Sequence, residues 1–324
     1  MRISYRFLFT CLFLCNIPLF SNPLKGRDLL SIEDLSKEEI ELVLKTAESL
    51  KETDYSNALQ GFVLATCFFE PSTRTRLSFE ASMHYLGGSV IGFSDSASTS
   101  TKKGESLTDT AKTISHFSDI IVIRHPQEGS AKVAADASDK PVINGGDGAN
   151  QHPTQTLLDL FSIKECQGKI DGLHIALAGD LKYSRTIHSL CQALLHYNVH
   201  LYFVAPKELP LPADLYDQLQ KAHIPCSFHE SIDEVMSDID ILYMTRIQKE
   251  RFPKEMPQFV NSCLLQSYHL DHVKENLRIL HPLPRVDEIN PAIDSTPYAY
   301  YFHQVGHGVP IRMALLLLLL GKID

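Results

Sequence analysis

The sequence predicts an α/β protein of two domains, each a parallel sheet flanked by helices, with a site between them at the strand carboxyl ends. Three observations predict it. Apolar runs of strand length alternate with helix-period segments in both halves of the chain. The runs are apolar at successive positions, as strands covered on both faces require. Clusters of hydroxyl and cationic side chains follow directly after predicted strands, where open α/β sheets bind ligands. These clusters are the Ser72 turn, Arg124, His152, Arg185, Arg246 and the Leu283 loop.

A chain of 324 residues is long enough for two domains with a large total core. The formal net charge of -9 argues against general nucleic-acid binding, which needs a basic face. It leaves room for a small basic pocket that takes an anionic metabolite. The seven cysteines form no C-x-x-C pair and no Cys/His cluster with zinc spacing. They read as reduced thiols of a cytoplasmic protein, with no metal and no cofactor.

Residues 1–22 are the odd part. Arg2 and Arg6 precede the apolar run 7–15, much like the start of a secretory signal. The run is short for a membrane span, and a good cleavage site is missing. The expectation is a start codon assigned too far upstream, ahead of a cytoplasmic domain.

A first domain is expected over 23–155, joined by 306–324, and a second over 156–305. Ser31 to Ser36 supply helix caps, and Ile40, Val43, Leu44 and Leu50 continue at helical spacing. Residues 62–67 form a buried strand. A tight turn, Ser72-Thr73-Arg74-Thr75, leads to a helix through Leu77, Phe79, Met83 and Leu86, which stops at Gly87-Gly88. A strand at 89–93 is followed by a polar, mobile loop that carries Ser100, Lys102 and Lys103. A helix at 107–117, a strand at 120–123, a helix at 131–137 and a strand at 141–144 come next. Residues 145–148 read as a turn. His152 and Gln155 open a long helix that reaches Gly168. In the second half, strands are expected at 173–178, 200–205, 239–244 and 277–280, with helices at 187–197, 213–222 and 231–236. The last helix, 310–320, is nearly all apolar. Its six leucines from Leu315 are too few to span a bilayer and so are packed between elements.

The turn after the first strand is the richest in chemistry. Helix N-terminal N–H groups have no internal partner, and the helix dipole there favours anions. Ser72, Thr73 and Thr75 add hydroxyl donors, and Arg74 adds a fork that can grip phosphate. Read alone, the same residues are equally a hydroxyl cap beside surface arginines. Arg74, Lys103, Arg124, Arg185, Arg246 and Arg285 all fall in the loops after strands. No nucleotide-binding G-x-x-x-x-G-K-[ST] is present. The chain therefore reads as built for small, multiply anionic substrates. A lone histidine such as His152 is more often structural. Gln155, three residues on, and Arg124 favour a role in polarising a carbonyl.

Seven segments together resemble the aspartate/ornithine carbamoyltransferase family: F-F-E-P-S-T-R-T-R-L-S-F-E, S-x-K-K-G-E, R-H-P-Q-E-G, Q-H-P-T-Q-T-L-L-D-L, G-D-L-K-Y-S-R-T-I-H-S-L, Y-M-T-R-I-Q-K-E-R and H-P-L-P-R-V-D-E-I. They run in this order from about Leu24 to Arg312. The resemblance implies transfer of the carbamoyl group of carbamoyl phosphate to the amino group of L-aspartate, in pyrimidine synthesis. It implies that Ser72, Thr73, Arg74 and Thr75 bind phosphate, and that Arg124, His152 and Gln155 hold the carbamoyl group. Arg185, Arg246 and Gln248 are implied at the aspartate site, together with Lys103. Leu283 and Pro284 are implied in a loop whose backbone carbonyls meet the substrates. Ser100 and Lys103 are implied to reach a neighbouring subunit's site, hence a homotrimer with shared sites. The resemblance leaves room for separate regulatory chains. A Gly that commonly precedes the paired lysines in the family is absent here. Two alternatives stand beside this reading: transfer to ornithine, and a catalytically inactive module of the same fold. Pro282, where the ornithine branch usually has Cys, together with Lys103 and Arg246, favours a dicarboxylate. Retention of Arg74, Arg124, His152 and Arg246 argues against an inactive module.

Overall fold

A computed structural model describes residues 22–96, 99–247 and 264–323. The expected leader, apart from Asn22, lies outside the described residues, as does Gln248. Asn22 itself already belongs to the fold: its Nδ2 donates to the Leu318 carbonyl at 2.7 Å.

The first sheet has four parallel strands in the order β2-β1-β3-β4: β1 Val63–Phe68, β2 Ser89–Phe93, β3 Ile120–His125 and β4 Val142–Asp147. The second has five parallel strands in the order β7-β6-β5-β8-β9: β5 His174–Ala178, β6 His200–Val204, β7 Cys226–His229, β8 Ile241–Met244 and β9 Arg278–Leu280. Each order reverses once, between β1 and β3 and between β5 and β8. At such a reversal the connections leave in opposite directions, and a crevice opens beyond the strand ends. Most of the residues expected to carry the chemistry lie at these two crevices.

The helices are α1 Lys37–Ser49, α2 Arg74–Tyr85, α3 Leu107–Ser115, α4 Ser130–Ala137, α5 Pro153–Gln167, α6 Arg185–Leu194, α7 Ala213–Lys221, α8 Tyr301–Gly306 and α9 Gly308–Leu319. Ser36 caps α1 by accepting from the Glu39 N–H, while Glu39 returns a bond to the Ser36 N–H. Helix α5 starts with Pro153, whose missing N–H costs nothing there, and ends at Gly168 in the left-handed region.

One apolar cluster runs from Leu64 and Val122 of the first sheet, through Leu157 and Phe161 of α5, to Ile175 and Leu201 of the second. Helix α9 lies in the same cluster, with Leu315 to Leu319 at most 2% exposed. Each leucine buried in this way contributes roughly 1.5–3 kcal/mol. The stretch Tyr301–Leu319 is long and apolar enough to cross a bilayer, but its leucines are spent on this core. Helix α9 also receives a bond from α2, Ser82 Oγ to the Val309 carbonyl at 3.0 Å.

Two local expectations are corrected, and two elements are added. Residues 145–148 are not simply a turn, because β4 continues through Gly145 and Gly146 to Asp147, which pairs with His125 across an irregularity. The segment 231–236 is only a single 3-10 turn, Ile232–Glu234. Strand β7 and helix α8 were not expected. Both are short, and β7 is an edge strand, so neither shows the continuous apolar run of a covered strand.

Candidate active site

Strand β1 and helix α2 build the first half of the site. Thr73 is the N-cap residue of α2, yet no side-chain capping bond forms. The hydroxyl-cap reading therefore fails, and the first N–H groups of α2 face the same space as the hydroxyls. In the adjacent strand, Phe68 of β1 is in register with Arg124 of β3. Parallel pairing thus brings the Ser72 turn and Arg124 to one end of the sheet. Arg124 Nε donates to Glu70 Oε1 at 2.7 Å, and its second nitrogen reaches the Gly145 carbonyl at 3.3 Å. Gly146 has φ 120°, and a Cβ there would stand 3.2 Å from the Arg185 guanidinium and 3.3 Å from that of Arg124. Glycine at this point lets two arginines approach the backbone.

His152 is the N-cap residue of α5, buried at 4% exposure. Its Nε2 lies 3.3 Å from Thr75 Oγ1. Burial, with Arg185, Arg124 and Arg312 nearby, holds the ring well below the usual imidazole range. It is neutral at physiological pH and offers one directional N–H without adding charge. Gln155 follows in the first turn of α5, and its Nε2 donates to Asp159 Oδ1 at 2.8 Å.

The second sheet supplies the opposite wall. Ala178 of β5 is in register with Met244 of β8, so the loops carrying Arg185 and Arg246 leave side by side. Gly179 permits this approach: at φ 112° a Cβ would sit 2.2 Å from the Thr245 carbonyl oxygen. Arg185, the first residue of α6, donates to the Gly148 carbonyl and lies 4.0 Å from Glu70. The loop after β9 completes the wall. Leu283 has φ 52°, a conformation costing roughly 1–2 kcal/mol for a side-chain-bearing residue. It is held by its N–H donating to His281 Nδ1 at 2.8 Å. With Nδ1 accepting, the neutral ring carries its proton on Nε2, 2.7 Å from Glu288 Oε1.

These walls enclose a cavity of about 760 Å³, in the range of small-molecule sites. Four arginines line it (Arg74, Arg124, Arg185 and Arg246) against the single carboxylate of Glu70. Burial lowers the Arg124 guanidinium from its ordinary range, as it does that of Arg74, where Arg124 adds to the effect. Both remain cations near neutral pH, so the described lining carries a positive excess that attracts anions. Among the described residues no group of three His, Cys, Asp or Glu side chains is placed to hold a metal ion.

Of the expected residues, Ser72, Thr73, Arg74, Thr75, Arg124, His152, Gln155, Arg185, Arg246, Leu283 and Pro284 all line this cavity. Ser100 and Lys103 do not. They lie on an exposed 3-10 turn, Ser100–Lys103, outside their own chain's cavity. Arg285, counted with the cationic cluster, belongs elsewhere: it pairs with Asp294 and Tyr301. Sequence reasoning missed Glu70 and His281. Glu70 sat inside the quoted motif, and a lone acid between a buried strand and an arginine-rich turn was the available signal. His281 opened the quoted H-P-L-P-R segment, but its role depends on a backbone bond two residues on, which the motif alone does not show.

The geometry agrees with comparisons to known proteins. Residues 27–165 match the carbamoyl-P binding domain of the aspartate/ornithine carbamoyltransferases, and 171–319 match their Asp/Orn binding domain. The chain belongs to the aspartate/ornithine carbamoyltransferase family. It is 55% identical over 306 residues to the aspartate carbamoyltransferase catalytic subunit of Thermococcus onnurineus, covering 93% of this chain and 99% of that protein. The catalytic subunit of M. jannaschii aspartate transcarbamoylase superposes with a TM-score of 0.84 at 49% identity, covering 90% and 96%. The aspartate transcarbamoylase of Trypanosoma cruzi, solved with carbamoyl phosphate and aspartate, gives 0.87 at 36% identity, covering 93% and 98%.

Proposed function

We propose that this chain transfers the carbamoyl group of carbamoyl phosphate to the amino group of L-aspartate, giving N-carbamoyl-L-aspartate and phosphate, in pyrimidine synthesis. The observation that carries the reading is one cavity with an anion cradle on the first sheet and two arginine forks on the second. Ser72, Thr73, Arg74 and the α2 N-terminus bind the phosphate. Thr75, Arg124 and His152 donate to the carbonyl oxygen, which becomes an oxyanion as the amine attacks. One such donor is worth about 3–4 kcal/mol at the transition state. Gln155 and the backbone carbonyls of Leu283 and Pro284 hold the carbamoyl nitrogen. Arg185, Arg246 and Gln248 take the aspartate carboxylates. As the carbon–oxygen bond to phosphate breaks, a leaving phosphate oxygen accepts the amine's proton. Positioning and electrostatics then supply the catalysis.

Ornithine fits this wall poorly. When its side-chain amine attacks, its α-ammonium needs an acceptor opposite, and Glu70, the one described acid in the lining, already holds two arginines. Activity assayed with aspartate and with ornithine decides: carbamoylation of ornithine alone overturns the reading. The division into 23–155 with 306–324 and 156–305 accompanies the proposal, as do a cytoplasmic location and room for regulatory chains. So does a homotrimer in which Ser100 and Lys103 complete a neighbour's site. The exposure of Lys103, away from its own cavity, supports the shared site. Mixing inactive Lys103→Ala with inactive Arg74→Ala enzyme under subunit exchange is expected to restore activity, because some sites then take both intact halves. No recovery argues against shared sites.

A further inference from the structure

We propose that Asp159 is a positioning residue that fixes which face of the Gln155 amide meets the substrate. The inference rests on the carbamoyl-transfer reading above. Asp159 lies one turn beyond Gln155 on α5 and is 0% exposed. Its Oδ1 accepts from Gln155 Nε2 at 2.8 Å and from Gln304 Nε2 at 2.6 Å. Its Oδ2 accepts from the Tyr243 hydroxyl at 2.8 Å. Three elements thus converge on one carboxylate: α5, α8 and β8. Gln304 Oε1 in turn accepts from the His281 N–H at 2.8 Å, at the root of the Leu283 loop. Tyr243 stands two residues before Thr245, which lines the cavity.

An amide has one donor end and one acceptor end. A carboxylate oxygen that already accepts from Gln304 can only accept from Gln155. The Gln155 NH2 must therefore turn inward, and Oε1 is the end left for the cavity that Gln155 lines. That end accepts from a carbamoyl NH2 and repels a carbonyl or phosphate oxygen, so it selects one orientation of the substrate. Burial pushes the Asp159 carboxyl up to about 7, with the three bonds and the Arg312 guanidinium on α9 opposing. A proton on Oδ2 would be donated to the Tyr243 hydroxyl, leaving Oδ1 an acceptor. The amide orientation therefore holds in either state.

The test uses the full chain, with wild-type transfer to aspartate measured first; absence of that activity counts against the functional reading rather than against Asp159. Asp159→Asn can keep Oδ1 as acceptor and donate to the Tyr243 oxygen, so its KM for carbamoyl phosphate is expected within about threefold of wild type. Asp159→Leu removes the acceptor, and KM is expected to rise about tenfold in protein shown to be folded. Added to Gln155→Ala, the same change should raise KM by less than about twofold further, because its route of action is gone. A purely packing role predicts fewer active molecules at unchanged KM. If Asp159→Leu does not fold, the smaller Asp159→Ala, which also removes the acceptor, replaces it and is read in the same way. The proposal is overturned by an unchanged KM in folded Asp159→Leu or Asp159→Ala, by additive losses in the double variant, or by Asp159→Asn as impaired as Leu.

Discussion

The junction after β1 and the junction after β5 carry the same short pattern, hydroxyl-Arg-Thr: Thr73-Arg74-Thr75 in one and Ser184-Arg185-Thr186 in the other. In each, the arginine is the first helical residue, and the hydroxyl residue before it makes no capping bond. All six residues line the cavity. The partners differ. Thr75 reaches the ring of His152, whereas Thr186 Oγ1 lies 3.1 Å from Ser184 Oγ in its own turn. Among the described residues no carboxylate pairs with Arg74, while Arg185 is drawn to Glu70 and the Gly148 carbonyl of the other sheet's loops. The same local device is an open cationic turn in one place and a strut between loops in the other. Its surroundings decide which.

Substitutions can break this comparison. The largest effect is expected at Arg74, which on the proposed reading meets a phosphate whose charge grows as it leaves. Arg74→Ala should lower kcat by about 10³-fold, and unchanged steady-state kinetics would remove the phosphate assignment. Arg185→Ala and Arg246→Ala should act chiefly on aspartate, raising its KM about 10–100-fold, the value of a lost charged contact. An equal loss of kcat in all three variants would erase the distinction between cradle and clamp.

Glu70→Gln tests the strut itself. Without the carboxylate, Arg124 and Arg185 lose their shared partner and repel one another. A loss of about tenfold in kcat/KM for aspartate is expected, and kinetics matching wild type would show that the strut does not order the site.

The smallest effect concerns pH and histidines away from the comparison's centre. Burial lowers His307 to about 4, and its Nδ1 lies 2.9 Å from Ser162 Oγ. Below about pH 6.5 the unfolded chain takes up a proton there that the folded chain refuses until about pH 4. Stability contributed by the neutral ring is therefore present above 6.5 and is lost as pH falls toward 4. His152 shifts in the same direction, and Asp159, raised to about 7, in the opposite one. Melting temperatures of His307→Asn should fall less between pH 6.5 and 5 than those of wild type. Parallel slopes would refute the assignment.

Much of the molecule was legible in its residues. Apolar runs marked the covered strands β1, β3, β5, β6 and β8, and the Ser72 turn and the arginines after strands marked the site. These features are local: burial on both faces demands consecutive apolar residues, and an anion at a helix start demands donors nearby. What the sequence hid is long-range. The edge strand β7 lies at the margin of its sheet, is only partly buried and has no apolar signature. Glu70 matters because β1 and β3 are in register, which aims Arg124 at it, and because Gly146 lets Arg185 come close. Asp159 read as one more polar residue on a long helix until α8 and β8 closed around it. The sequence by itself determined the two parallel sheets, their covered strands and the residue types at the strand ends. Tertiary structure alone decided which arginine is open and which is tethered, and which end of the Gln155 amide faces the cavity. Bond direction and charge pairing depend on groups more than 50 residues apart in the chain, and no local pattern records them.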